Sequence, residues 1–175
     1  MNVKSGLYVA VMGALGDILT LFAIPVGPNI HINLYVLPAV LVGSTTGWLL
    51  GGLAGAIGAL YTIVLWGHPY SIIYGFLLGA LTGIFCQKFG LRPIISGIIA
   101  HIITLPWLYF SLVNILGLAI PIFYLGMFTM AVQLVVSLLI TEGIIAVPAL
   151  KKRIPQVPIA SRAAGFLRHP WSAGS

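Results

Sequence analysis

Long apolar runs, separated by short clusters of proline, glycine, asparagine and charged residues, make up the first 150 residues of the chain. A helix needs about 20 apolar residues to cross about 30 Å of hydrocarbon. The run from 30 to 66 would form a helix about 55 Å long, so we expect it to break at its polar cluster Ser44-Thr45-Thr46. The pattern predicts six membrane-spanning helices, at about 5–24, 30–43, 47–66, 70–85, 93–113 and 121–150.

The composition supports a bilayer as the solvent for these helices. Of 175 residues, 60% are hydrophobic and 6% are charged. A soluble domain needs polar residues to cover its surface, and a disordered chain has low hydrophobicity and high charge, so both classes are excluded. We expect an all-α integral membrane protein with one domain over 1–150 and a basic cytoplasmic tail over 151–175. The single cysteine, Cys86, allows no intramolecular disulfide.

Two predicted helices carry glycine at every fourth position, where the residues share one helix face. Such faces let helix backbones approach closely, so they predict a tightly packed bundle. They are formed by Gly47, Gly51 and Gly55 on the third predicted helix and by Gly75, Gly79 and Gly83 on the fourth.

The basic residues predict the orientation of the bundle. Lys and Arg occur at position 4, at positions 88 and 92, and from position 151 onwards. With six crossings these three groups lie on one side, which the positive-inside rule makes the cytoplasmic side. We therefore expect both termini in the cytoplasm. The loops 25–30, 67–70 and 114–121, which contain no Lys, Arg, Asp or Glu, would then face outward.

Polar residues occur near mid-membrane in three predicted helices. Counted along their helices, Asp17, His101 and Gln133 reach a similar depth. Polar and ionisable groups at that depth are costly and often functional, so we expect the three to face one cavity. The alternative is that each is a hydrogen-bonded packing residue. Glu142, nearer the cytoplasmic end, is expected to be solvated or paired with a lysine.

A second group of candidates lies in and near the outward loops. Proline stiffens these loops, and stiff loops that hold amide, imidazole and phenol groups over a bundle are suited to capping a small aromatic ligand. The alternatives are an interfacial aromatic belt or simple connections between helices. The candidates are Asn29, His31, Asn33, His68, Tyr70, Tyr74 and Trp107.

Several enzyme classes have no signature in the chain. The two carboxylates are far apart in sequence, the four histidines lack metal-ligand spacing, and there is neither a GxSxG motif nor a P-loop. We therefore expect no metal site and no enzyme activity. An intramembrane enzyme acting on a lipid-like substrate, with Ser96 or Ser111 beside His101, stays open, as does a small membrane scaffold.

Three sequence features resemble the substrate-binding S components of energy-coupling factor (ECF) vitamin transporters, a type of ABC importer. The first is an AxxxA pattern, Ala10 to Ala14. The second is the proline-containing loop followed by Ile-Asn-Leu-Tyr-Val-Leu-Pro at Ile32 to Pro38. The third is the Gly- and Ala-rich passage from Gly43 to Ala59. The resemblance covers about 1–150.

The resemblance implies a transport function without a cofactor of its own. Ala10 and Ala14 would dock on a transmembrane coupling subunit, and two separate ATPase subunits would hydrolyse ATP. The loop after the first helix would gate a pocket for a vitamin-like small molecule, and the protein would lie in a prokaryotic-type plasma membrane. The family's metal-transporting variant begins with a Met-His motif that this chain lacks.

The substrate is expected to be a neutral or cationic heterocycle of the thiamine or pyrimidine type. No basic residue lies in the outer half of the predicted bundle to pair with an anion. A polyanion is therefore disfavoured, and nucleic acid is not expected as a partner.

Overall fold

The computed structural model describes residues 3–27, 30–66 and 69–148. These residues form α1 (Val3–Leu21), α2 (Val36–Thr46), α3 (Trp48–Gly58), α4 (Leu60–Trp66), α5 (Tyr70–Lys88), α6 (Pro93–Tyr109) and α7 (Ile120–Ala146). A π-helical segment, Phe110–Ile115, continues α6, and the strands β1 (Ile24–Gly27) and β2 (Ile30–Ile32) lie between α1 and α2. The helix α5 packs against α2, α3 and α6 and forms the centre of the bundle.

Five helical stretches within the described ranges are long and apolar enough to cross a membrane. They are α1, α3 with α4, α5, α6 with the π-helical segment, and α7. The predicted all-α class is confirmed, and the apolar helices fit a membrane protein. The helix α2 has 11 residues and is about 16 Å long, about half the hydrocarbon thickness. The predicted tail, 151–175, lies outside the described residues.

The start of the second predicted helix was wrong, because residues 30–32 form a strand. β1 and β2 pair antiparallel, with Ile24 opposite Ile32 and Pro25 opposite His31. The Oδ1 atom of Asn33 accepts a hydrogen bond from the Tyr35 amide at 3.3 Å. An asparagine that bonds the amide two residues ahead forms a local turn, so this contact ends the strand and sets the entry into α2.

The predicted break in the run 30–66 occurs at Gly47, between α2 and α3. Gly47 has a φ of 109°, which side chains other than glycine rarely adopt. The hydroxyls of Ser44, Thr45 and Thr46 donate to carbonyls one turn earlier in α2. The hydroxyls of the polar cluster therefore find their hydrogen-bond acceptors within α2, and Gly47 makes the turn between α2 and α3.

Glycines allow α3 and α5 to approach at backbone distance. An ideal Cβ at Gly55 would lie 2.1 Å from the carbonyl oxygen of Gly75, and one at Gly79 would lie 2.2 Å from that of Gly51. Real Cβ atoms essentially never approach so closely, so the glycine faces predicted from the sequence are in direct backbone contact.

Charged residues mark one end of the bundle, where α5 ends and α6 begins. Arg92, just before α6, donates to both carboxylate oxygens of Glu142 on α7, at 3.3 and 2.6 Å. The hydrogen bond and the negative charge of Glu142 raise the pKa of Arg92. We expected Glu142 to be solvated or paired with a lysine. It is paired, but its partner is an arginine.

The helix α1 lies at the periphery of the bundle. Its buried residues include Gly13 and Gly16, which contact Ile57 and Gly58 of α3. Ala10 and Ala14 are exposed. The predicted AxxxA strip therefore faces away from the described part of the bundle.

Candidate functional site

A cavity of about 500 Å³ lies at the end of the bundle opposite the Arg92–Glu142 pair. Its walls come from the start of α5, the end of α6 with its π-helical segment, and the first half of α7. Single residues of β2 and α4 and the segments just before α2 and α7 complete them. The lining residues are His31, Tyr35, Leu65, Tyr70, Ser71, Tyr74, Leu108, Ser111, Leu112, Leu116, Leu118, Ile122, Gly126, Thr129, Met130 and Gln133.

The π-helical segment shapes one wall of this cavity. Its wider turn is closed by a hydrogen bond from the Leu116 amide to the Ser111 carbonyl, five residues back, at 3.1 Å. Gly117 then turns the chain with a φ of 68°. Single π-helical turns often occur at functional sites, and here Ser111, Leu112 and Leu116 of this region face the cavity.

Four of the predicted site residues line the cavity together: His31, Tyr70, Tyr74 and Gln133. The buried Gln133 side chain donates from Nε2 to the His31 carbonyl at 2.7 Å, which joins α7 to β2. The hairpin therefore lies against α7 at the cavity, and the ligand-binding role of these residues stays a prediction.

Two further predicted residues stand behind the lining. His101 does not line the cavity, but its Nδ1 atom is 3.0 Å from the Tyr74 hydroxyl. The indole of Trp107 donates to the Tyr70 carbonyl at 3.4 Å and packs edge-on against the Tyr70 ring. Through these contacts His101 holds Tyr74 in position, and Trp107 holds Tyr70.

The structure does not bring Asp17 to the cavity. Its carboxylate accepts a hydrogen bond from the Tyr61 amide at 2.8 Å, in the first turn of α4. Helix amides at that position have no partner within the helix, and a carboxylate there is stabilising. Asp17 thus fixes the break between α3 and α4, which the sequence analysis did not predict.

We expect Asp17→Leu to lower the free energy of unfolding by about 1–2 kcal/mol, because the Tyr61 amide loses its acceptor. Asp17→Asn should remain close to the wild type, since asparagine keeps an oxygen at the same place and caps helices about as well. Thermal unfolding in detergent would measure both. An equal loss in the two variants would show that the negative charge, and not the acceptor, is required.

The remaining predicted residues have separate positions. Asn33 is buried at the turn before α2 and is not part of the lining. Asn29 and His68 lie outside the described residues. The enzyme alternative would need Ser96 or Ser111 beside His101, but their hydrogen bonds go elsewhere. Ser96 accepts from Cys86, Ser111 donates to the Leu108 carbonyl, and the Nδ1 atom of His101 lies beside the Tyr74 hydroxyl.

Several lining residues were missed by the sequence analysis. On α7 they are Ile122, Gly126, Thr129 and Met130, which share one helical face with Gln133 at spacings of three and four residues. That periodicity, read backwards from Gln133, would have found them. Ser71 carries no comparable signal, because serine is common in membrane helices for packing alone.

Among the residues that the structure describes, no Asp, Glu, Lys or Arg lines the cavity. The sequence has no such residue at all over 18–87 and 93–141, the stretches that supply the lining. In the part of the chain that the structure describes, no three His, Cys, Asp or Glu residues come together as metal ligands. The site therefore offers hydroxyls, an amide, an imidazole and apolar side chains.

In comparisons with known proteins, no family model, no curated protein and no solved structure matched this chain.

Proposed function

We propose that the protein is the substrate-binding S subunit of an ECF-type importer for a small vitamin or a heterocyclic vitamin precursor. The observation that carries this proposal is the cavity at one end of an apolar helix bundle. Its volume, about 500 Å³, lies within the range of about 300–1,000 Å³ that small-molecule sites occupy. A mostly apolar lining with a few polar groups is also typical of such sites.

In this proposal the chain crosses the membrane six times, with both termini in the cytoplasm. The short α2 is the sixth crossing. Most of its residues are buried by other helices, so its length does not have to match the lipid hydrocarbon. Lys88 and Arg92 then lie on the cytoplasmic side, as the positive-inside rule favours. The cavity lies toward the outer side, where substrate arrives.

The proposed docking surface is the exposed strip of Ala10 and Ala14 on α1. Small residues four apart make a smooth strip along which a second helix can pack closely. A different face of α1, at Gly13 and Gly16, is used against α3. One helix thus offers one face to its own bundle and the other to a partner, a transmembrane coupling subunit that carries two ATPase subunits.

The test is copurification of the tagged chain from membranes of its own host in mild detergent. We expect a membrane subunit and two P-loop ATPases with the wild type. They should be lost with Ala14→Trp, because the larger ring holds the partner helix several ångströms away. The matched control is Leu139→Trp, which changes an exposed residue on α7. This variant should retain the membrane subunit and the ATPases.

Ligand binding separates docking from folding in this test. The Ala14→Trp variant should keep the small molecule that copurifies with the wild type, as mass spectrometry would detect. If the ATPases remain bound to Ala14→Trp, or if none copurifies with the wild type, the proposal is wrong.

A further inference from the structure

Three hydroxyl groups in the cavity lining have already used their only hydrogen within the protein. A serine or threonine hydroxyl has one hydrogen to donate and two lone pairs to accept with. Ser111 donates to the Leu108 carbonyl at 3.2 Å, and Thr129 donates to the Gly126 carbonyl at 2.8 Å. Both oxygens therefore keep only acceptor capacity.

The same count of one hydrogen per hydroxyl shows that Ser71 also donates within the protein. Thr62 donates its single hydrogen to the Ala59 carbonyl at 2.5 Å. Thr62 and Ser71 are also hydrogen-bonded to each other through their hydroxyls. Since the Thr62 hydrogen is occupied, Ser71 is the donor in that pair. Its oxygen, like those of Ser111 and Thr129, can only accept from a bound molecule.

The described part of the lining also lacks a charged side chain that could pair with an ion. An ion that enters a site with no opposite charge loses hydration that the polar groups of the site only partly replace. The faces of the lining tyrosines would attract a cation, but cation–π attraction is smaller than this loss. The apolar side chains Leu112, Leu118, Ile122 and Met130 of the lining favour a ligand whose bulk is apolar.

We infer that the cavity selects an uncharged, largely apolar ring compound that supplies N–H or O–H donors to the acceptor oxygens of Ser71, Ser111 and Thr129. This inference rests on the proposed function, in which the cavity is the substrate site. It narrows the expected substrate from a neutral or cationic heterocycle to a neutral one. It also assigns to the ligand the donors of the hydrogen bonds to these three oxygens.

The experiment compares isomeric probes on the full chain in lipid nanodiscs, at a pH where the rings are neutral. 2-Methylbenzimidazole has a ring N–H, and 1-methylbenzimidazole has the same size without it. Benzimidazole-5-carboxylate and 5-(aminomethyl)benzimidazole keep the N–H and add a negative or a positive charge. Calorimetry or saturation-transfer NMR would measure affinity. Two variants show whether a probe binds in the cavity. Gly126→Trp fills the cavity and should remove such binding, whereas Gly143→Trp, on the same helix but outside the lining, should not.

We expect 2-methylbenzimidazole to bind about three- to tenfold more tightly than its 1-methyl isomer, as one hydrogen bond allows. Both charged probes should bind at least about tenfold more weakly than 2-methylbenzimidazole. Thr129→Val keeps the shape of the side chain but removes the oxygen, so it should reduce the preference between the isomers. Binding of the 1-methyl isomer should be unchanged.

Equal binding of the two isomers, lost in both cases with Gly126→Trp, would overturn the inference while leaving the cavity as a ligand site. Tighter binding of a charged probe would overturn it as well. If no probe binds in a way that depends on Gly126, the inference and the role of this cavity in the proposed function both fail.

Discussion

Gly55→Ala and Gly79→Ala are each expected to destabilise the bundle by about 3 kcal/mol, the upper part of the range for overpacked cores. The added Cβ atoms would lie 2.1 and 2.2 Å from carbonyl oxygens of the facing helix. A backbone oxygen cannot turn aside as a side chain can, so α3 and α5 have to separate and lose contacts along their length. Thermal or denaturant unfolding in detergent would measure the effect.

Gly126→Ala and Gly143→Ala on α7 are the matched controls for these variants. An added Cβ at either position meets nothing within 4 Å, and alanine favours a helix over glycine by about 1 kcal/mol. Both controls should therefore unfold at the wild-type temperature or slightly above it. If Gly55→Ala and Gly79→Ala behave like the controls, the close approach of α3 and α5 is wrong.

The double variant Gly55→Ala/Gly79→Ala tests whether the two contacts depend on each other. The pairs Gly55–Gly75 and Gly51–Gly79 belong to one interface, so a separation forced at one pair relieves the other. We expect the combined loss of stability to be smaller than the sum of the single losses. Strict additivity would mean that the two contacts act independently.

Gly126→Trp should abolish binding of the small molecule in the cavity, with a loss of affinity of about a hundredfold or more. Gly126 lines the cavity and its Cβ direction is open, so the indole enters empty space and does not displace the packed core. The fold should remain intact in thermal unfolding. Binding can be followed by the amount of copurified compound per mole of protein.

Gly143→Trp is the control for cavity filling. It places the same side chain on α7 at a position with equally open surroundings, but outside the lining. This variant should bind like the wild type. Unchanged binding by Gly126→Trp would place the ligand elsewhere, and equal loss in both variants would point to an indirect effect on α7.

The sequence predicted features that follow from length, composition and spacing. The break near Gly47 was predictable, because the run 30–66 is too long for one crossing. The glycine faces of α3 and α5 were predictable from their four-residue spacing. Both are local properties of the chain, and the structure has both.

Features that depend on the rotation of one helix against another were not predictable. Counting residues gave Asp17, His101 and Gln133 a common depth, but only Gln133 lines the cavity. Asp17 bonds the amide of Tyr61, and His101 meets the hydroxyl of Tyr74. Depth follows from the rise per residue, whereas the direction of a side chain depends on which helices pack around it. The short hairpin was missed because three or four residues are too few for a strand period to appear.

The hydrogen bond between Asp17 and Tyr61 also connects the outer face of α1, which carries Ala10 and Ala14, to the wall of the cavity. Asp17 is one turn of α1 beyond Ala14, and Tyr61 is one turn of α4 before Leu65 in the cavity wall. A helix turn measures about 5.4 Å. A displacement of α1 by a helix packed against its outer face would therefore reach the cavity wall at Leu65 through one turn of each helix and this hydrogen bond.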